Sequence, residues 1–146
     1  MQVAPLSCRI AVELVNGPLD ISAIQHSIAD DLCGAQLLFC GSTRLRTGDR
    51  TTTFLRYQAY EKMAIAELRS IANEAAEEWP LAAITIHHRL GRVDVGQISI
   101  AVAISSPHRL AVMAAMPWMM DQVKLRPPIW KQEEYSDGST EWVHPQ

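Results

Sequence analysis

The stretch AIAELRSIANEAAEEWPLAAITIHHRLGRVDVGQISIAVAIS, residues 64–105, changes its hydrophobic period part-way along, and that change decides the fold class. In the first half Ala64, Leu68, Ile71, Ala72 and Ala75 recur at helical spacing while Glu67, Arg69, Glu74 and Glu78 fall elsewhere. The segment from Glu61 to Trp79 is therefore predicted to be an amphipathic helix. Pro80 ends it, because proline has no N–H to donate and pushes its predecessor out of helical geometry. In the second half residues 83–89 and 97–105 read as strands. In the later strand Ile98, Ile100, Val102 and Ile104 point one way and Ser99, Ala101 and Ala103 the other.

Working outward, residues 9–15 (RIAVELV) alternate as a strand, which Asn16-Gly17-Pro18 breaks. Asp20 is placed to cap a helix with Ile21, Ile24 and Ile28 on one face, and Gly34 to end it. Residues 35–42 (AQLLFCGS) look like a buried strand that runs into a polar loop, TRLRTGDR, with three arginines; a further strand follows at about 51–60, where Leu55 and Tyr57 alternate with Arg56 and Gln58. A helix from Pro107 to about Arg126 leads through Pro127-Pro128 into a short strand. A turn at Ser136–Ser139 and a last strand through Trp142 complete the chain. The pattern predicts a single α+β domain over residues 1–146, with mostly antiparallel strands and about three helices.

Composition agrees with an ordinary globular domain: 146 residues, 48% apolar and 20% charged. A formal charge of −3 argues against general attraction to nucleic acid or an anionic membrane, so any basic site must be local. Cys8, Cys33 and Cys40 are odd in number and lack CxxC spacing, which suits neither a disulfide framework nor a zinc site and favours a reducing cytoplasm. No run approaches the length needed to span a bilayer as a helix, and the N-terminal residues do not read as an export signal.

Three constellations carry possible chemistry. In Ser106-Pro107-His108-Arg109, Ser106 as N-cap and Pro107 at the first helical position would set His108 and Arg109 beside unpaired backbone N–H groups. Two potentially cationic groups are unfavourable at the positive end of a helix unless an anion joins them; a solvated helix start fits the same residues. In KLRPPIWKQEEY, residues 124–135, Lys124 and Arg126 complement the helix dipole at its other end. Lys131 follows on a stretch that the prolines hold extended, with Glu133 on the same strand face. A lysine gathered among cations loses proton affinity and becomes usable as a base or nucleophile, although a solvated lysine is the plainer alternative. The third is the arginine loop, Arg44, Arg46 and Arg50, whose forks suit phosphate and equally suit solubility.

The run SPHRLAVMAAMPWMMDQVKLRPPIWKQE, residues 106–133, resembles the signature of the molybdopterin synthase large, catalytic subunit family. Echoes are FCGSTR at 39–44, YQAYEKMA at 57–64, WPL at 79–81 and HRLG at 88–91, with Trp142-Val143 near the end. The resemblance implies a sulfurtransferase with an α/β-hammerhead-type fold. In that family a small ubiquitin-like carrier inserts a Gly-Gly tail ending in a thiocarboxylate. Two sulfurs pass to cyclic pyranopterin monophosphate, giving the molybdopterin dithiolene. By motif position it implies Lys124 and Lys131 as catalytic residues and Arg44, His108 and Arg109 as substrate contacts. It further implies a homodimer carrying a small subunit at each far end, a heterotetramer, with no metal or cofactor needed for the step. Leu45, Gln58, Ala114 and the ending Val143-His144-Pro145-Gln146 depart from the family pattern.

Three other readings compete. His87 and His88 are adjacent in a strand and so face opposite ways, a poor start for a metal site, and His26 and His144 have no evident partners. A cysteine hydrolase built on Cys40 and His108 is weakened by the expected burial of Cys40. A non-catalytic module that docks a partner's carboxylate tail in the basic pocket is the alternative from a different class.

Overall fold

The computed structural model describes residues 7–143, and His144 lies outside the described residues. Four strands form the first sheet in the order β1 (Arg9–Val15), β5 (Ala83–Arg89), β7 (Ile98–Ser106) and β2 (Ala35–Ser42). Only β1 with β5 is parallel; β5 with β7 and β7 with β2 are antiparallel. In the second sheet β4 (Arg50–Ala59) pairs with the two-residue β3 (Arg46–Thr47), with β6 (Gly91–Asp94) and with β8 (Ile129–Tyr135), and β8 carries β9 (Thr140–Val143). Three helices complete the α+β fold: α1 (Ile21–Ser27), α2 (Glu61–Glu78) and α3 (Arg109–Leu125).

The two faces of β7 explain how the first sheet is covered. Ile100, Val102 and Ile104 share a core with Leu68, Ile71 and Ala72 of α2 and Val112, Met116 and Met119 of α3. Ala101 and Ala103, on the reverse face, pack with Ile24 and Ile28 from the region of α1. Large residues fill the side facing two long helices, and alanines admit one short helix. The predicted stripe of α2, from Ala64 to Ala75, is wholly buried. Its end is also as expected, with Trp79 extended (φ −126°, ψ 147°) before Pro80.

Several local expectations are corrected. Asp20 does cap α1, its carboxylate accepting from Ala23 N at 3.0 Å, but the helix ends at Ser27 and not near Gly34. Arg9 accounts for the early stop: its guanidinium donates to the carbonyls of Ser27 (3.5 Å) and Ala29 (3.0 Å) and pairs with Asp30 at 2.9 Å. Gly34 instead donates to Pro107 O at 3.1 Å, at the entrance to β2. The strand β2 is less buried than its apolar run suggests, since it is a sheet edge with Phe39 and Cys40 exposed. The loop after it contains β3, and β6 went unforeseen. β6 starts at a bend where Gly91 takes φ +82°, a conformation open to glycine and strained for other residues.

Candidate functional site

The second sheet builds a cleft from residues far apart in sequence. Across the antiparallel β4–β8 ladder Leu55 lies opposite Glu133 and Tyr57 opposite Lys131. Residues directly opposite and two apart share one face of a sheet, so all four side chains point the same way. Ser42 at the end of β2, Thr43 and Arg44 in the loop after it, and Thr47 of β3 close the cleft. The enclosed volume is about 60 Å³, so the cleft admits the end of a narrow chain or one anionic group and not a whole ring system.

Its electrostatics are unbalanced toward positive. Lys131 is half-buried, and its pKa is held below the ordinary lysine value first by burial, then by the nearby cations of Arg44 and Lys124, with Glu133 opposing them. Glu133 is buried, and its carboxylate accepts from the hydroxyls of Thr47 (3.3 Å) and Thr52 (3.4 Å). Fixed by two threonines, it supplies one negative charge against three cations. Tyr57 donates from its hydroxyl to Ser99 Oγ at 3.4 Å, and Ser99 donates to Gly41 O at 3.3 Å. Burial pushes the phenol above its usual pKa, so it remains a neutral donor at working pH. Behind it, His88 meets the Tyr57 ring edge-on with centroids 4.9 Å apart. Gly41 must stay small there: a Cβ would come within 2.9 Å of Ile100 Cγ2.

The structure brings together some of the residues singled out from sequence and separates others. Arg44 and Lys131 line the cleft, and Lys124, exposed on the last turn of α3, is near enough to act on Lys131. Arg46 is exposed outside the cleft lining, whereas Arg50 lies 3.4 Å over the Tyr135 ring and reaches Glu141 and Ser139, which makes it a pin for the β8–β9 hairpin. His108 and Arg109 stand elsewhere. They sit at the start of α3, while Lys124 is fifteen residues beyond Arg109, about 23 Å along a helix at 1.5 Å per residue. A second measure agrees: Ala35 pairs with Ser106, and Ser42, two residues before Arg44, is seven positions farther along β2, or about 24 Å.

The helix start also differs in detail from the expected capping. Ser106 belongs to β7 and its hydroxyl donates to His108 O, so His108 is the N-cap and no side chain caps the first turn. Both His108 and Arg109 are exposed, and no side chain caps the N–H groups of the first turn beside them.

Tyr57, Leu55, Thr47 and Thr43 were not singled out from sequence. The signal for Leu55 and Tyr57 was their alternation, which became informative once β4 was paired with β8. The competing constellations fare poorly. Cys40 lies five positions along β2 from the residue paired with Ser106, roughly 17 Å from that end, so Cys40 and His108 do not form a dyad. Although Cys40 is exposed, partial desolvation of its thiol raises the pKa, which disfavours the thiolate. His87 faces Glu13 at 3.2 Å, and His88 is buried with Nδ1 donating to Arg89 O at 2.8 Å.

The fold and cleft define an α+β protein with a local cationic pocket, backed by one buried carboxylate and a phenol, in an otherwise acidic chain. The chain belongs to the MoaE protein family, whose model matches residues 14–126. It is 40% identical over 134 residues to a molybdopterin synthase catalytic subunit of Culex quinquefasciatus, covering 90% of this chain and 85% of that protein. With the subunit of the same name from Nostoc sp. it shares 43% identity over 128 residues, covering 86% and 77% of the two chains. The corresponding Drosophila willistoni protein is 41% identical over 133 residues, but the chain spans only 36% of its length. Among solved structures, the crystal structure of molybdopterin synthase from Staphylococcus aureus superimposes with a TM-score of 0.85 at 32% identity, covering 90% of this chain and 95% of that one.

Proposed function

We propose that this chain is the catalytic subunit of a molybdopterin synthase, a sulfurtransferase that moves sulfur from the C-terminal thiocarboxylate of a small ubiquitin-like partner to cyclic pyranopterin monophosphate, forming the molybdopterin dithiolene. The observation that carries the proposal is Lys131, half-buried beside Arg44 and Glu133 in a narrow cleft, with a pKa below that of a free lysine. Both reactants are anionic, and the reaction needs proton exchange as the thiocarboxylate sulfur attacks and the cyclic phosphate opens. A cationic cleft attracts the first, and a lysine with reduced proton affinity serves the second. The small volume suits a Gly-Gly tail, which lacks the side chains that would block entry.

In this reading Lys124 and Lys131 are catalytic, and Arg44, His108 and Arg109 hold the substrate. The step requires no metal or cofactor, and residues 1–146 act as one domain. Because the two groups of residues stand at opposite ends of α3, the site is shared across a homodimer, which becomes a heterotetramer with the small subunit. Leu110 and Met113, 78% and 62% exposed on α3, with Ala114 and Pro117 continuing the stripe, offer an apolar face for such a contact. Work in the cytoplasm is part of this reading; the three cysteines are free, and no described helix is long and apolar enough to cross a membrane. The test is reconstitution: the protein, a thiocarboxylated small partner and the pterin precursor are incubated and assayed for dithiolene. Failure of the wild-type protein to form it, with an active control synthase alongside, overturns the assignment.

A further inference from the structure

Arg126 stands between the two lysines in sequence but is turned away from the cleft, onto α2. Its Nε donates to Glu67 at 3.0 Å, and one terminal nitrogen donates to Glu74 at 2.7 Å and to Ser70 at 3.3 Å. The other terminal nitrogen donates to Gln122 Oε1 at 3.4 Å, within α3 itself. Glu67 and Glu74 are seven residues apart, two turns of one helix, so the guanidinium lies along the side of α2 and fastens the end of α3 to it.

The same helix also holds the chain just past Arg126. Tyr60, the N-cap of α2, donates from its backbone to Pro128 O at 3.2 Å, and Pro127 is buried. Lys124 precedes this clamped segment by two residues and Lys131 follows Pro128 by three. We propose that Arg126 is a positioning residue for sulfur transfer: by fastening the end of α3 to α2 it sets Lys124 against Lys131 across the cleft. The proposal rests on the role given above to the two lysines. A last helical turn has unpaired carbonyls and frays when nothing holds it, and a lysine there sweeps a wide arc on its four-carbon stem. A fork bound by two carboxylates and two further acceptors is more ordering than a lone surface pair.

The arrangement has a readout that does not depend on turnover. The charged and titratable groups facing Lys131 are Arg44 from the loop after β2, Tyr57 from β4, Glu133 from β8 and Lys124 from α3. If the end of α3 loosens, Lys124 withdraws its repulsion and Lys131 binds its proton more tightly. The experiment compares wild type, Arg126→Gln, Arg126→Lys and the double variant Glu67→Gln/Glu74→Gln, which cuts the clamp from the α2 side and leaves every cleft residue in place. Acetic anhydride labelling of Lys131 across pH, read by peptide mass, should move to higher pH in Arg126→Gln and in the double variant, with Arg126→Lys between them and wild type. In the reconstituted assay kcat should fall by about 10- to 100-fold, the scale expected when a catalytic group is displaced by about an ångström, with KM for the small partner within about twofold. Folded variants with wild-type kcat and an unshifted labelling profile overturn the proposal. So does a loss of kcat that only follows the loss of folded protein. Absence of product from the wild-type protein would instead refute the functional reading, while the labelling profiles still decide whether Arg126 holds Lys124 near Lys131.

Discussion

Tyr57 and Lys131 are direct cross-strand partners on β4 and β8, and both side chains open into the same cleft. The lysine is thereby held between a neutral phenol and, two residues along its own strand, a buried carboxylate. Neither neighbour is mobile. Tyr57 is tied to Ser99, and Glu133 to Thr47 and Thr52. These two neighbours of the amine are therefore held by a pair of strands, which is how a site keeps its precision, while Arg44 reaches the cleft from the loop after β2.

Replacing Lys131 should separate chemistry from binding. Lys131→Ala is expected to abolish dithiolene formation and to leave the fold and affinity for the small partner nearly intact, because a half-exposed strand lysine contributes little to stability. Lys131→Arg should be equally inactive although it keeps the charge, since a guanidinium does not release its proton near neutral pH. Turnover by either variant near the wild-type rate counts against the catalytic role. Loss of partner affinity without a selective loss of turnover would favour the docking module instead.

The pH dependence should follow the charges around Lys131. Burial and the cations of Arg44 and Lys124 lower its pKa, while Glu133 raises it. The limb of the rate profile governed by this amine should lie below the ordinary lysine value of 10.5. Arg44→Gln removes a repulsive cation and should move that limb to higher pH. Glu133→Gln removes the attractive charge and should move it lower. Profiles of kcat/KM for the three proteins check both directions, and shifts of the opposite sign would exclude Lys131 as the titrating group.

His88 makes a separate prediction about stability. Burial lowers its pKa from 6.5 to about 4, so as pH falls the unfolded chain takes up a proton at this imidazole before the folded one does. Between pH 6.5 and about 4 the unfolded state binds more protons, and stability therefore rises with pH across this window. Stability should be fully present above pH 6.5 and fall by about 3 kcal/mol on acidification to pH 4, at about 1.4 kcal/mol per pH unit. Urea unfolding at several pH values measures it. A folded His88→Gln variant should lose most of this slope; an unchanged slope would show that other groups control acid stability.

How far the sequence disclosed all this depended on whether a signal was local. The α2 stripe, the break at Pro80 and the two faces of β7 were legible because helical and strand periods are carried by neighbouring residues. Lys131 and Glu133 were legible as one strand face for the same reason. Tyr57 and Thr47 were not, because their place in the cleft depends on a β4–β8 pairing whose partners, such as Tyr57 and Lys131, lie seventy or more residues apart. The length of α1 was misread because its stop comes from Arg9 on another element, and the burial of β2 because an apolar run does not reveal whether a strand lies at a sheet edge. The grouping of Arg44, His108 and Arg109 with the lysines as substrate contacts came only from the family resemblance; the structure sets Arg44 in the cleft with Lys131 and leaves His108 and Arg109 at the far end of α3.

That grouping leads to the last prediction. His108 and Lys124 are sixteen residues apart and α3 runs unbroken from Arg109 to Leu125, so about 24 Å separates the two ends. The β2–β7 ladder gives a similar separation between the entrance of α3 and the loop that carries Arg44. A pterin monophosphate is much shorter than this. If both groups act on one substrate, the simplest arrangement brings the His108-Arg109 end of one protomer to the Lys124-Lys131 end of its partner across a two-fold axis. Arg109→Ala and Lys131→Ala should each be inactive alone. After reversible dissociation and random exchange of equal amounts, half the dimers are mixed. One of the two sites in each mixed dimer is intact, so about a quarter of wild-type activity should return. A site contained within one chain leaves every site in the mixture damaged, and activity stays at zero. Exchange is verified independently by native mass spectrometry of differently tagged protomers, so an inactive mixture with demonstrated exchange would rule out the shared site.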